Sequence, residues 1–201
     1  MGKRENIEKL NQKPYSKLLR RFRYFLILAL VAILIRTFIF QIYVVSGNSM
    51  APTLRNGDIV FVSKLGFPVF GEFFPFDFIY GNPSLNRLDI VIFEDQNSET
   101  SIKRLVGEPS EYYEINYGKV MIESNVLQEE YLPDGSLTSE PSNSMFYQFP
   151  NSPFLEMQKS GRIPDNYYLL LGDNREYSTD SRSFGLVPLE KMRGKVFYTF
   201  Q

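Results

Sequence analysis

Residues 22–40 form an almost unbroken apolar run, which limits what the chain can fold into more than any other feature. Sixteen of these nineteen residues are apolar, the exceptions being Arg23, Arg36 and Thr37. As a helix the run would be about 28 Å long, close to the roughly 30 Å hydrocarbon core of a bilayer. Arg36 lies near the far end, where its long side chain can reach the interface. The run predicts a transmembrane helix over residues 22–42, with a buried core helix as the alternative.

Charge is divided unevenly on the two sides of this run. Residues 1–24 carry eight basic and two acidic groups, a net of +6, and the remaining residues carry 14 basic and 21 acidic groups, a net of −7. The positive-inside rule then predicts a cytoplasmic basic segment at 1–21 and an extracytoplasmic domain at 43–201. A cleavable signal peptide is the alternative, but no A-x-A-like cleavage pattern follows the run.

We therefore expect a single-pass protein of the cytoplasmic (inner) membrane, with the lipid bilayer as a partner. The acidic body argues against nucleic-acid binding.

Beyond residue 43 the pattern changes to short runs of β-branched and aromatic residues separated by turn formers. Strands are predicted within residues 58–65, 87–94, 100–107, 111–123, 166–174 and 195–200, with a hairpin turn at Tyr117-Gly118. No long amphipathic helical pattern appears there, so the fold class expected is mainly β: an antiparallel β-sheet domain with irregular insertions.

Two stretches interrupt the strand pattern. Residues 66–83 are rich in phenylalanine and too broken by Gly and Pro for a regular element, so they either dip into the lipid interface or fold over the β core. Residues 133–163 are rich in Pro, Ser, Asn and Gly, and they predict an irregular insertion or a long loop.

The chain contains no cysteine and no histidine, which excludes a disulfide, a Cys-His metal site and a serine–histidine triad. A serine nucleophile would need another base, and a lysine made neutral by burial can serve. Ser49, in "SGNSMAPTL", and Lys103, in "TSIKRLVGEP", are the candidates, and Lys64 is a competing base. Taken alone, Ser49 is an ordinary turn serine and Lys103 an ordinary exposed lysine of a strand.

Four stretches in order after the apolar run resemble the motifs of type I signal peptidases. They are "SGNSMAPTL", "GDIVFVSK", "KRLVGEP" and "GDNREYSTDSRSFGLVP", the last followed by "GKV". These peptidases are membrane-bound serine endopeptidases that remove signal peptides from exported preproteins. The resemblance implies Ser49 as nucleophile, Lys103 as general base and Ser178 as hydrogen-bond partner of the lysine amine. It implies a supporting charged cluster made of Asp180, Arg182 and Arg104.

The resemblance also implies signal peptides as substrates, with small residues at the first and third positions before the cut. The walls of the substrate pockets would be Val45, Met50, Leu54, Val60 and Ile102, for which core packing is the alternative. No metal and no organic cofactor are expected.

The chain departs from the family pattern at Gly47, where some members carry a serine, and at Pro109-Ser110-Glu111, where Pro-Gly-Asp is usual. Two other functions remain open. One is a dedicated processing or self-cleaving Ser/Lys protease, and the other is an inactive membrane-anchored β module that binds peptides.

Overall fold

The structure is a computed structural model that describes residues 13–69, 78–79, 81, 83–95, 97–140 and 162–201. The chain divides into a helical unit that ends at Ile39 and a compact unit over Phe40–Gln201. Fourteen elements other than short turns make up the described part: helix α1, strands β1–β12 and the short helix α2.

Helix α1, Lys13–Phe38, is 26 residues long, and most of its described apolar side chains are exposed. Among the residues described, no helix combines the length and the apolarity needed to cross a lipid bilayer. The predicted span of 22–42 is wrong at its C-terminal end, because Phe40–Val44 is a strand whose backbone pairs with Ile59–Ser63. The transmembrane anchor and its orientation stay predictions.

Twelve strands follow α1 in the described part of the compact unit. In chain order they are β1 Phe40–Val44, β2 Ile59–Ser63, β3 Pro68–Val69, β4 Phe78–Ile79, β5 Ile90–Glu94, β6 Thr100–Gly107, β7 Tyr113–Asn116, β8 Lys119–Ile122, β9 Asn125–Val126, β10 Tyr167–Leu171, β11 Val187–Pro188 and β12 Met192–Phe200. Helix α2, Ser181–Phe184, lies between β10 and β11, and a 3-10 turn, Leu189–Lys191, precedes β12.

Seven of these strands form one antiparallel sheet in the order β1-β2-β12-β5-β6-β10-β11. Strands β7, β8 and β9 form a second sheet, and β3 pairs with β4. The mainly antiparallel β fold predicted from the sequence is therefore confirmed. The predicted hairpin turn also occurs, since Tyr117 and Gly118 join β7 to β8 with positive φ angles of 47° and 74°.

The two irregular stretches are only partly described. Residues 66–83 contain the short pair β3 and β4, so the prediction of no regular element there is wrong, although each strand has only two residues. Residues 70–77, which include the central phenylalanines of the first stretch, lie outside the described residues. So do residues 141–161, which make up most of the second stretch.

One of three hydrophobic clusters fixes the segment that follows β1. Met50 and Leu54 are 1% and 0% exposed, and they pack with Val45, Val60 and Ile92. The segment returns to the sheet through two backbone hydrogen bonds, Val45 N to Asp58 O at 2.8 Å and Gly57 N to Val45 O at 2.9 Å. Residues 46–57 therefore form an excursion that leaves the sheet and returns to it. The packing of Met50 and Leu54 in the hydrophobic cluster anchors this excursion.

Candidate active site

Ser49 lies at the exposed side of this anchored excursion. Asn174 holds its backbone from the neighbouring loop, because Asn174 N donates to Ser49 O at 3.0 Å and Asn174 Nδ2 donates to Asn48 O at 3.1 Å. Gly47 has a φ of 85°, a left-handed conformation that glycine adopts without strain, and its N–H donates to Asn56 Oδ1 at 3.0 Å. These contacts fix the backbone of residues 47–49, which carries the Ser49 side chain.

Lys103 reaches Ser49 from β6, where it pairs with Val91 of β5. It is only 5% exposed, and its Nζ donates to Ser49 Oγ at 3.0 Å and to Ile102 O at 2.9 Å. Burial lowers the pKa of Lys103, because a desolvated ammonium is costly, while the carboxylates of Asp180, Asp173 and Asp95 act in the opposite direction. A neutral Lys103 amine at this distance can accept the Ser49 hydroxyl proton.

A cavity of about 180 Å³ opens at this serine–lysine pair, and we call it the Ser49 cavity. Its lining consists of Tyr43, Val44, Val45, Ser46, Ser49, Val60, Ile92, Thr100, Ser101, Ile102 and Lys103. Three of the five predicted pocket residues, Val45, Val60 and Ile102, are among them. Lys64, the competing base, follows the end of β2 and is absent from this lining.

Met50 and Leu54 correct the prediction of the pocket walls. Both side chains point into the hydrophobic cluster under the excursion and leave no surface for a substrate. Their core role was the alternative interpretation. The sequence reasoning missed the lining residues of β1 and of the start of β6, although the strand alternation around Lys103 was the signal that could have identified them.

Ser178 does not make the hydrogen bond that was expected. Its Oγ is buried and has no hydrogen-bond partner among the described residues, whereas the Lys103 amine bonds to Ser49 and to Ile102. Ser178 nonetheless lies beside the site: a Cβ placed on Gly172 would stand 2.0 Å from Ser178 Oγ and 2.6 Å from Ser49 O. Glycine at position 172 is therefore required for this close approach.

The predicted charged cluster is present as two buried ion pairs. Arg104 Nε and Nη2 contact the two carboxylate oxygens of Asp173 at 2.8 and 2.5 Å. Asp180 pairs with Arg182 at 2.7 Å, caps α2 by accepting from Arg182 N at 3.1 Å, and accepts from Gly172 N at 2.9 Å. The pairs tie β6 and α2 to the loop that follows β10.

Three further residues belong to this network and were not predicted from the sequence. Arg175 Nη2 donates to Tyr131 OH at 3.0 Å and pairs with Glu129, while Arg175 Nε donates to Gly172 O at 3.1 Å. The Arg104 guanidinium lies over the Tyr131 ring, 3.9 Å from its centroid. Burial is the main cause that raises the pKa of Tyr131. Arg175 belongs to the "GDNR" motif, but Glu129 and Tyr131 carry no local sequence signal.

A serine hydroxyl in contact with a buried lysine amine, at an open cavity of an antiparallel sheet, is the arrangement of the serine–lysine class of hydrolases. The comparison with known families narrows the class. The chain belongs to the signal peptidase family, peptidase S26, whose family model matches residues 18–201. The family resemblance noted in the sequence is thus confirmed, and membership supports a peptidase that acts on signal peptides.

Two named signal peptidases and one solved structure are similar to this chain. Signal peptidase I of Bacillus caldolyticus is 30% identical over 195 residues, which are 94% of this chain and 93% of that protein. Signal peptidase IB of Staphylococcus aureus, strain Mu50, is 30% identical over 175 residues, 85% of this chain and 82% of that protein. The crystal structure of a signal peptidase I from Enterococcus faecalis is 29% identical, covers 57% of this chain and 98% of its own, and gives a TM-score of 0.43.

Proposed function

We propose that this protein is a membrane-bound serine endopeptidase that cleaves N-terminal signal peptides from exported preproteins, with Ser49 as nucleophile and Lys103 as general base. The observation that carries the proposal is the 3.0 Å contact between Lys103 Nζ and Ser49 Oγ, made by a lysine that is almost completely buried. Family membership supplies the substrate class.

The reaction follows from this contact. Neutral Lys103 accepts the Ser49 Oγ proton as Oγ attacks the scissile carbonyl carbon, and Lys103 then returns the proton to the leaving amine. Water, activated by the same amine, hydrolyses the acyl-enzyme. The Ser49 N–H has no acceptor among the described residues, so it is available to stabilise the oxyanion.

The Ser49 cavity suits an extended substrate with small side chains. Its volume of about 180 Å³ is below the roughly 300–1,000 Å³ of ordinary small-molecule sites. Strand β10 pairs with β6 only from Arg104 onward, and β1 is the edge of the sheet, so residues 100–103 and β1 each have one side that pairs with no strand among the described residues. A signal peptide can therefore add as a strand between them and place alternate side chains in the cavity.

The proposed membrane anchor rests on the exposed apolar surface. Leu28 and Phe25 of α1 are 68% and 65% exposed, and exposed apolar area in water is unfavourable by about 25 cal/mol per Å². On β1, Phe40, Ile42 and Val44 alternate and lie on one exposed face. We place α1 in the cytoplasmic membrane, with the basic segment in the cytoplasm and the compact unit outside.

Alkaline carbonate extraction tests the anchor. We expect the full chain to stay in the membrane pellet, and the double variant Leu28→Lys, Val31→Lys to be released, because a lysine at the centre of a span disfavours insertion by about 3 kcal/mol. The matched control is Lys119→Met, which alters an exposed lysine of β8. Release of the unaltered chain would contradict the anchor.

Cleavage of a purified preprotein in detergent tests the catalytic pair. Ser49→Ala and Lys103→Ala should each lower kcat/KM at least about a thousandfold, because neither half of such a pair works alone. Lys64→Ala is the matched control and should retain activity. Activity in Lys103→Ala would show that the base is another group.

The same assay separates the two alternative functions. Cleavage of several unrelated preproteins at their signal-peptide junctions excludes a protease dedicated to one partner. Binding of those preproteins without any cleavage would indicate the inactive peptide-binding module.

A further inference from the structure

A second and larger cavity, of about 720 Å³, opens on the other side of the segment that carries Ser49. We call it the Ala51 cleft. Its lining consists of Ala51, Gly118, Pro133, Gly135, Ser136, Leu137, Thr138, Ser139, Asp173, Asn174, Arg175 and Glu176. The two cavities share no lining residue: Ser46 and Ser49 line one, and Ala51 lines the other. Residues 46–51 therefore form a partition with the nucleophile on it.

The walls of the Ala51 cleft are held by buried contacts. Arg175 is 5% exposed and is fixed by Gly172 O, Glu129 and the Tyr131 hydroxyl. The opposite wall is a turn closed by Ser136 N to Pro133 O at 3.1 Å, and Thr138 N donates to Gly118 O at 2.8 Å. Since both walls are anchored, the cleft is a preformed site.

The cleft is joined directly to the nucleophile. Asn174 lines it and holds Ser49 O and Asn48 O through its backbone and side-chain amides, at 3.0 and 3.1 Å. A substrate in an extended conformation advances about 3.3 Å per residue, so four residues beyond the scissile bond cover roughly 13 Å. The volume of the Ala51 cleft lies within the roughly 300–1,000 Å³ of ordinary ligand sites, so the cleft is large enough for such a segment.

We propose that the Ala51 cleft binds the first residues of the mature chain, on the C-terminal side of the scissile bond. The inference rests on the proposed peptidase function and adds a second half to its substrate site. The signal peptide occupies the Ser49 cavity, and the polypeptide crosses the partition at Ser49.

The charges of the lining indicate what the cleft accepts. Asp173 is neutralised by Arg104 and Arg175 by Glu129, which leaves Glu176 on the exposed rim, where solvent and salt screen it. Thr138 Oγ1 and Ser139 Oγ already bond to Arg175 and Arg182, whereas the Ser136 hydroxyl has no partner among the described residues and can bond to the main chain of a peptide. The ligand class is therefore an extended polypeptide of varied sequence, held mainly through its backbone.

Peptide length on the mature side tests the cleft. Two peptides share one signal-peptide portion and carry either one or five alanines after the cut, and kcat/KM is measured for each with the full-length protein in detergent. We expect the longer peptide to be cleaved about tenfold better, since contacts remote from the bond contribute to transition-state binding.

Two bulky substitutions on opposite walls should remove that gain. Ser136→Trp and Glu176→Trp should each reduce the ratio of the two kcat/KM values to about twofold or less, because the indole fills the cleft. Ser84→Trp is the matched control: Ser84 is exposed and absent from the lining, so the ratio should stay at the wild-type value. Thermal unfolding establishes that each variant is folded.

The outcomes distinguish this inference from the proposed function. If both peptides are cleaved with the same kcat/KM by the wild-type protein, or if both tryptophan variants keep the gain, the cleft inference is overturned and the peptidase function stands. If neither peptide is cleaved, fluorescence anisotropy measures how tightly each peptide binds to the Ser49→Ala protein. The two affinities then decide whether the cleft binds the mature side of the substrate. Tighter binding of the longer peptide that is lost in Ser136→Trp supports the cleft, and equal binding overturns it.

Discussion

Lys103 is the residue whose chemistry depends most on its surroundings. A lysine is a base only when it is neutral, and in water nearly every lysine is charged at pH 7. Here β5 and β6 bury the side chain and lower its pKa, against the field of three carboxylates. Under the proposed mechanism, the burial of Lys103 therefore controls what fraction of the protein is active at a given pH.

Activity should rise with pH through the lowered pKa of Lys103. At low pH the amine is protonated and cannot accept the Ser49 proton, so kcat/KM should fall as pH decreases from about 9 to about 5. The measurement is kcat/KM for one peptide over that range, with folding checked at each pH. A flat profile would contradict Lys103 as the base. Chelators should leave every point of the profile unchanged.

The same burial makes Lys103 unfavourable for stability. The folded-state pKa lies below the ordinary value of 10.5, so between these two pKa values the unfolded chain binds more protons than the native protein. The loss of stability is complete below the folded-state pKa and disappears as pH rises towards 10.5. Lys103→Met should therefore be inactive but raise the unfolding temperature at pH 7, and the gain should shrink at alkaline pH. Lys119→Met, at an exposed position, should show no such gain.

At the scale of elements, Asp180 joins α2 to the loop after β10. It caps the helix, pairs with Arg182 and accepts from Gly172 N, and it is fully buried. Asp180→Asn leaves Arg182 without its buried counter-charge, which typically destabilises a protein by about 3 kcal/mol. Urea unfolding measures the change, and Glu190→Gln, at an exposed acid, is the control. A loss below about 0.5 kcal/mol would mean that the pair has no structural role.

Most of the strands could be predicted because their residues alternate or are β-branched and end at turn formers. Strand β1 could not, since Phe40–Val44 continues the apolar run of α1 and a hydrophobic pattern alone does not mark where a helix gives way to a strand. The strands of two residues are too short to carry a period. Met50 and Leu54 were placed in the pocket because position in a motif does not tell which way a side chain points.

The residues of the candidate site also divide into those that the sequence predicts and those that it does not. Ser49 and Lys103 come from short motifs, and the structure brings their side chains into contact. Glu129 and Tyr131 support the site from 46 and 44 residues before Arg175, a separation at which no local pattern connects them. Contacts of this kind depend on the tertiary fold and are visible only in a structure.

At the scale of the whole molecule, the three hydrophobic clusters found among the described residues lie within the unit Phe40–Gln201. A protein that lacks residues 1–39 should therefore fold, with a free energy of unfolding within about 1 kcal/mol of the full chain in the same detergent. Circular dichroism during urea unfolding measures this, and peptide cleavage measures whether the site survives. A fragment without a cooperative transition would show that the helical unit is needed for folding.

The order of strands in the main sheet determines how late in synthesis the candidate site can assemble. Ser49 follows β1, Val60 of β2 packs with the neighbouring Met50, Lys103 belongs to β6, and β12 lies between β2 and β5 in the sheet. Residues 192–200 are therefore the link that brings the halves of the site together. During synthesis both reactive side chains leave the ribosome long before this strand exists, so the growing chain carries an unassembled protease. The proposed peptidase activity therefore requires that β12 has been made and inserted into the sheet.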